Sequence, residues 1–499
     1  MKIKNCLLAS LTLTAMLSAG CRTTETVETK PEKTGCACAC ACAEQLKIDM
    51  EDFGIAVRPA VPDLGRKCEL AVRITNADPA LPATVTAEID GKELESVNLK
   101  PGKNLAVFSF QPETTGWKTA KAKVRQGRNQ AEASFRFPVT SRRLHFPWFG
   151  WNDNDGKVEK CRFPTMMLAR NPKEIAYWKH RGVMAGRWKD GRHRGKTVEA
   201  CAAYWPQKTE GYDAIMIDEI GGYDSEYLKN TPRVQGLAKY CKEKTDNLFV
   251  ALWVPGVLPE SLAAITKSVY RKKGVDLLML ETYINYLNPE LKSYYPSELL
   301  RLRIDVARKQ DVLTHSIITI GIHGMATVRP LSHEELEDQV RLIKRLAPEM
   351  PGLCVYASTK KMTRRDLVFL ADRLCGKYYV SPVLTLLAET VQISDPAPVR
   401  GSKVRIRGTV MNVGGMDSGA VTVRFYDGNP ANGGRLIGEK RIEKVNSLRD
   451  GKDFPKGVAV EIDWTAGPQG SHEIFMEILP ENPDDTLLDH LACRPVMVR

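Results

Sequence analysis

Ala214-Ile-Met-Ile-Asp218-Glu219-Ile220 and Val275-Asp-Leu-Leu-Met-Leu-Glu281-Thr-Tyr283 share one build: a short apolar run that ends in carboxylates. A run apolar at every position suits a parallel strand covered on both faces. Five further runs fit: HFPWFGW (145–151), VMAGRWK (183–189), LFVALWV (248–254), HSIITIGI (315–322) and GLCVYAS (352–358). RFPTMML (162–168) supplies an eighth, following the first with no helix pattern between them. Amphipathic segments such as SELLRLRIDVARKQ and EELEDQVRLIKRL separate most of the others. Strand–helix units in this number predict a (β/α)8 TIM-like barrel over residues 143–380. The alternative is an open doubly wound sheet, which no Gly-rich phosphate loop supports.

Alternating short segments flank this region on both sides. Before it, over 46–140, CELAVRIT, ATVTAEI, NLAVFSF, TAKAKV and AEASFRF are divided by Asp90-Gly, Pro101-Gly and Gln126-Gly turn signals. Several short strands at this spacing predict an immunoglobulin-like β-sandwich. After it, over 385–499, Gly408-Thr-Val-Met-Asn-Val-Gly-Gly, Ser418-Gly-Ala-Val-Thr-Val-Arg-Phe-Tyr-Asp-Gly-Asn-Pro, Gly434-Arg-Leu-Ile-Gly and Ile462-Asp-Trp-Thr stand in order. This pattern resembles CARDB-type domains, bacterial extracellular β-sandwich modules, along nearly the whole segment. The resemblance implies a spacer or binding accessory, with Gly and Asn at bends, Val and Phe in the core and Trp464 filling the interior. The expected fold class is therefore multidomain, a central (β/α)8 TIM-like barrel flanked by two immunoglobulin-like β-sandwiches.

The N-terminus carries an export signal. Lys2 and Lys4 precede an uncharged apolar run from Leu7 to Leu17, too short to span a bilayer stably and suited to a cleaved signal peptide over 1–20. Leu17-Ser18-Ala19-Gly20-Cys21 resembles the lipobox of bacterial lipoproteins, with Ser18 where that family more often has leucine. The resemblance implies lipidation of Cys21 and anchoring in the bacterial cell envelope; the alternative is an ordinary secretory cleavage nearby. Residues 21–45 form a polar tether, in which Cys36, Cys38, Cys40 and Cys42 alternate with alanine. Structural zinc sites use wider gaps, so this run is read as incidental thiols.

Among 499 residues, 43% are hydrophobic and 26% charged, as in globular proteins. The net charge of +12 is spread along the chain without a Lys/Arg stripe, which argues against nucleic-acid binding.

In a barrel of this kind the chemistry sits at the C-terminal ends of the strands. Those ends carry Trp148, Trp151, Arg187, Trp188, Asp218, Glu219, Trp253, Glu281, Tyr283, His323 and Tyr356. A buried charge costs several kcal/mol unless paired, so carboxylates ending apolar runs belong at an open mouth. Two carboxylates across a mouth suit glycoside hydrolysis, one protonating the leaving oxygen while the other attacks or activates water. Glu219 is the expected general acid/base, Glu281 its partner, and Asp218 the residue that orients them. The aromatic residues, with Arg187 and His323, are expected to bind substrate. The region resembles bacterial glycoside-hydrolase barrels in general. Tyr212-Asp-Ala-Ile-Met-Ile-Asp218-Glu219 is also similar to the strand motif of chitinase-like barrels, but Met216 stands where that motif has a carboxylate. Its substrate is therefore not carried over.

The loop RWKDGRHRGK (187–196) follows a strand end, and its cations suit sulfate or uronate groups. The expected function is a surface-anchored glycoside hydrolase acting on a polysaccharide or glycoconjugate. It would use no cofactor or metal, and the membrane would be its second partner. The competing reading is a non-catalytic glycan- or protein-binding envelope lipoprotein. The sequence leaves the glycan and the oligomeric state open.

Overall fold

The structure, a computed structural model, describes residues 45–49, 57–65, 67–75, 77–140, 147–151, 161–191, 195–218, 232–243, 248–254, 275–282, 287–288, 293–294, 297–323, 331–358, 365–447 and 457–499. Gln45–Arg499 forms one compact unit. The signal, Cys21, the tether and its Cys-Ala run lie outside the described residues. No helix among the described residues is long and apolar enough to cross a membrane.

The expected fold class is corrected. Strands dominate: the described residues hold 28 of them against six α-helices, so the regular alternation of a (β/α)8 barrel is not met. The helices are Pro172–His180, Val198–Tyr204, Pro232–Glu243, Ser297–Lys309, His333–Leu346 and Arg365–Cys375. Between Pro147–Trp151 and Met166–Leu168 the sequence shows no helix pattern, and the described end of that connection is pinned. The backbone N–H groups of Arg162 and Phe163 donate to the Asp372 carboxylate, at 2.8 and 2.9 Å.

The central sheet has eight parallel strands: Pro147–Trp151, Met166–Leu168, Met184–Asp190, Ala214–Asp218, Phe249–Val254, Leu277–Glu281, Ser316–His323 and Leu353–Ser358. They pair in that order, and the last pairs with the first, so the sheet closes on itself. Alternate residues separate two apolar layers, as the period of two requires. Ala185, Ile215, Ile217, Leu252, Leu280, Ile318 and Val355 face outward into the core shared with the helices. Met166, Met184, Ala214, Met216, Phe249, Ala251, Trp253, Met279, Ile317 and Cys354 fill the interior.

The N-terminal region has two mainly antiparallel sheets over a common core. In Gly116–Gln126, Ala120, Ala122 and Val124 are buried while Lys121, Lys123 and Arg125 are exposed. Asp90 and Gly91 both take positive φ, 49° and 82°, as a two-residue hairpin turn demands. This region also closes the N-terminal end of the parallel sheet. Val61, fully buried, belongs to the interior cluster, and Arg58 reaches Asp311 at 3.6 Å.

His315 fixes the same contact. One ring nitrogen, Nε2, meets the Val57 carbonyl at 3.0 Å, and Nδ1 meets the Thr314 hydroxyl at 3.0 Å. A neutral ring satisfies both, donating from Nε2 and accepting at Nδ1. Burial, then the Arg58 charge, pushes its pKa down to about 3. The unfolded chain therefore binds the extra proton first. The stability from this contact is fully present above about pH 6.5 and is lost as pH falls toward 3, at up to about 1.4 kcal/mol per unit. Urea midpoints from pH 7 to pH 4 are expected to fall, with a shallower fall for His315→Gln. Equal slopes for the two proteins would refute this.

The C-terminal region again has two sheets over one core, which includes Val404, Phe425, Trp464 and Met476. It is fused to the central region. Val383, Val413 and Leu488 join the helix-side core beside Tyr378 and Tyr379. Arg345 grips the Asp489 carboxylate through Nε at 2.9 Å and Nη2 at 2.6 Å. Gly415 is required here, because a Cβ would stand 2.2 Å from the Tyr379 carbonyl oxygen.

Candidate active site

Alternation along the strands decides which strand-end residues share the interior. Ala214 and Met216 face in, so Asp218, two residues on, takes the inner register; Leu277 and Met279 place Glu281 likewise. Both stand at the C-terminal ends of their strands, separated by Phe249–Val254. Adjacent strands lie about 4.8 Å apart, so these two backbones are about 10 Å apart. Gly186 belongs to the same inner layer. A Cβ there would lie 2.5 Å from Met216 Sδ, so the missing side chain makes room for methionine.

Asp218 is held on two sides. Trp188 Nε1 donates to its Oδ2 at 3.3 Å. Its backbone carbonyl accepts from Gly191 N–H at 2.7 Å, and Arg233 Nη1 donates to the Gly191 carbonyl at 3.1 Å. Asp190 is the register partner of Asp218, so a third carboxylate-bearing residue stands at this rim.

Glu281 is 9% exposed. Its register partner is Thr319, whose own partner is Cys354. The Cys354 thiol is pushed up to about 12, chiefly by burial and further by the Glu281 charge, while the neighbouring Thr319 and Trp253 act the other way. It stays protonated at neutral pH, which argues against a thiolate nucleophile. Thr319 was missed in the sequence, although a hydroxyl inside SIITIGI at an inner position was a usable signal.

The other predicted residues divide. Trp188 is half-buried and Tyr356 buried, both against the interior cluster. Trp253, at 1% exposure, is packed inside it, so its ring faces have no room for a sugar. Arg187 takes the outer register: its guanidinium lies over the Tyr212 ring at 5.6 Å and donates to the Tyr212 hydroxyl at 3.2 Å. Trp148 and Trp151 lie in the first strand, paired with Val355 and Ser358. His323 ends its strand opposite Ala357. The side chains of these three, and Glu219 and Tyr283 altogether, lie outside the described residues.

The basic loop is less directed at the rim than its composition implies. Lys189 is buried on the outer side, where its ammonium donates to the Tyr204 carbonyl at 3.4 Å and to that of Gln207. Burial first, then Arg187 and Lys208, lowers its pKa to about 8. It serves the C-terminal end of the Val198–Tyr204 helix, whose last carbonyls need donors. Arg192, His193 and Arg194 lie outside the described residues. Among the described residues no group of three or more His, Cys, Asp or Glu is arranged to hold a metal ion. The described cysteines are free thiols, all buried except the half-buried Cys493.

No protein-family model and no curated protein matches the chain. Solved structures do. A CARDB domain from Pyrococcus furiosus, in complex with di-metal ions, is similar at 17% identity over 24% of this chain and 92% of that one, with TM-score 0.18. Parabacteroides merdae β-glucuronidase is similar at 9% identity over 91% of this chain and 64% of that one, with TM-score 0.32. Bacteroides uniformis β-glucuronidase 3 is similar at 8% identity over 91% and 63%, with TM-score 0.33. At these values the likenesses are partial and assign neither substrate nor reaction to this chain.

Proposed function

We propose that the chain hydrolyses glycosidic bonds at the C-terminal rim of its closed parallel sheet, with Asp218 and Glu281 as the carboxylate pair. The observation that carries this is their shared inner register at the ends of two nearby strands. Asp218 takes the place first given to Glu219, because Asp218 continues the inward series. The Trp188 indole N–H aims the Asp218 carboxylate. Trp188, half-buried, supplies aromatic surface beside it, suited to the C–H face of a sugar. The test is reducing-end release from a panel of neutral, uronate-bearing and sulfated polysaccharides by the protein lacking residues 1–21. Release from at least one glycan is expected. Tight glycan binding with no release would instead support the non-catalytic reading.

The same proposal places the protein outside the cytoplasm, tethered through a lipid on Cys21. Lys2, Lys4, the apolar run and Ala19-Gly20-Cys21 support it. Metabolic labelling with a clickable fatty acid should mark the full-length chain, and Cys21→Ser should abolish the label. A labelled Cys21→Ser protein would exclude this anchor.

A further inference from the structure

At one end of the C-terminal region a histidine has an acceptor on each ring nitrogen. His472, in the Gly470–Pro480 strand, meets Asp427 Oδ1 through Nδ1 at 2.8 Å and the Pro468 carbonyl through Nε2 at 2.8 Å. Neither partner has a proton to give, so only the imidazolium makes both bonds. This is the reverse of His315, which has one donor and one acceptor.

The charged groups around it are few. Asp427, from the Val421–Asp427 strand, also binds Arg435 of Arg435–Ile442 through Oδ2 at 3.2 Å. Val458–Thr465 contributes the Trp464 ring, edge-on at 5.6 Å. Leu491–Val498 places Val496 opposite His472, and on its own strand the next residue is Glu473. The His472 and Asp427 side chains are 14% and 11% exposed, so water competes poorly for their bond. The turn lies directly on the ring, since a Cβ on Gly467 would come 2.8 Å from His472 Cε1.

We propose that His472 is a proton-operated latch, clamping the 467–470 turn to Asp427 as an imidazolium and releasing that turn as a neutral ring. The Asp427 hydrogen bond raises the pKa, and the Pro468 carbonyl adds to it; burial and Arg435 oppose them. The stability of the latch is fully present below about pH 6.5 and is lost as pH rises through the raised value. The anchoring of the residue before the turn is independent of the proton. Ala466 exchanges backbone hydrogen bonds of 2.9 Å with Gly401 and Ser402, so the opening is confined to the residues after it.

Hydrogen exchange on the full chain, corrected for the intrinsic pH dependence of amide exchange, tests this. Protection at the 467–471 amides, Pro468 having none, is expected to fall between pH 6 and pH 9, by one decade for each unit by which the pKa is raised. The Gly116–Gln126 strand should hold its protection. Nitrogen NMR should find both ring nitrogens of His472 protonated at pH 6. His472→Gln should remove the pH dependence of the turn, and Asp427→Asn should move the titration to lower pH. A neutral ring at pH 6, or wild-type protection that does not change with pH, would overturn the latch.

Discussion

Glu281→Gln and Asp218→Asn are each expected to cut glycan hydrolysis by about 10²–10⁴-fold, the usual worth of a positioned acid or base. Both replacements keep shape and volume but remove the negative charge and the ability to hold or give a proton at that atom. Glu281 is nearly buried beside Cys354 and Thr319, so a neutral amide there should leave the melting temperature close to wild type. Asp218 accepts from Trp188, and the amide oxygen in Asp218→Asn keeps an acceptor for that bond. Trp188→Phe should cost less, about tenfold, because it removes one hydrogen bond to a positioned carboxylate but keeps the ring. Its effect should appear in kcat and shift the pH profile, whereas a purely structural loss would lower the active fraction alone. Glu219→Gln belongs in the same series. Full activity in that variant beside dead Asp218→Asn would assign the acid–base work to Asp218. Wild-type rates in both Asp218→Asn and Glu281→Gln would end the proposal.

The inner register of Asp218 and Glu281 rests on local order, although the sequence expectation gave the acid/base role to Glu219. In Ala214-Ile-Met-Ile-Asp218 the chain itself counts out which residues face the same way, and the structure follows that count. Arg187 shows where such reading stopped. As part of a cationic loop it looked like a substrate contact, yet one residue of parity separates it from Trp188 and sends it to Tyr212. Trp253 failed differently. Its position at a strand end was right, but burial depends on the neighbouring strands, which pack it to 1% exposure. The contact of Val57 with His315 joins residues 258 apart and had no local signature at all. The (β/α)8 expectation counted eight strand runs with helices between most of them; the eight strands pair in a closed order, but the described residues hold six α-helices against 28 strands.

Asn412→Ala is expected to destabilise the protein by about 4 kcal/mol or more, several times the effect of an ordinary substitution. In the CARDB-like motif this asparagine reads as a bend, but its side chain is the hub of the junction between the C-terminal and central regions. It is fully buried and uses all its hydrogen-bonding capacity. Oδ1 accepts from Val383 N–H and Gly414 N–H, both at 3.0 Å. Nδ2 donates to the Met416 carbonyl at 2.7 Å and the Val445 carbonyl at 3.0 Å. Truncation strips the Val383 and Gly414 N–H groups of their acceptor, at about 1–3 kcal/mol for each buried group left unpaired, while the Val445 carbonyl keeps the Ser418 N–H and the Met416 carbonyl belongs to an exposed residue. Val383 sits in the helix-side core, so the loss falls on the joint itself and not only on one loop. Asn412→Asp separates the two halves of this argument. It keeps the two bonds to Oδ1 but turns an oxygen toward the two carbonyls, so it should also destabilise, and less so at low pH, where a protonated carboxyl can donate one bond. Urea unfolding at matched m-values measures both variants. A loss below about 1 kcal/mol for Asn412→Ala would mean that the freed backbone groups find new partners, and that the junction rests on its other contacts, among them Arg345–Asp489, Arg341 on the Leu488 carbonyl and the apolar core.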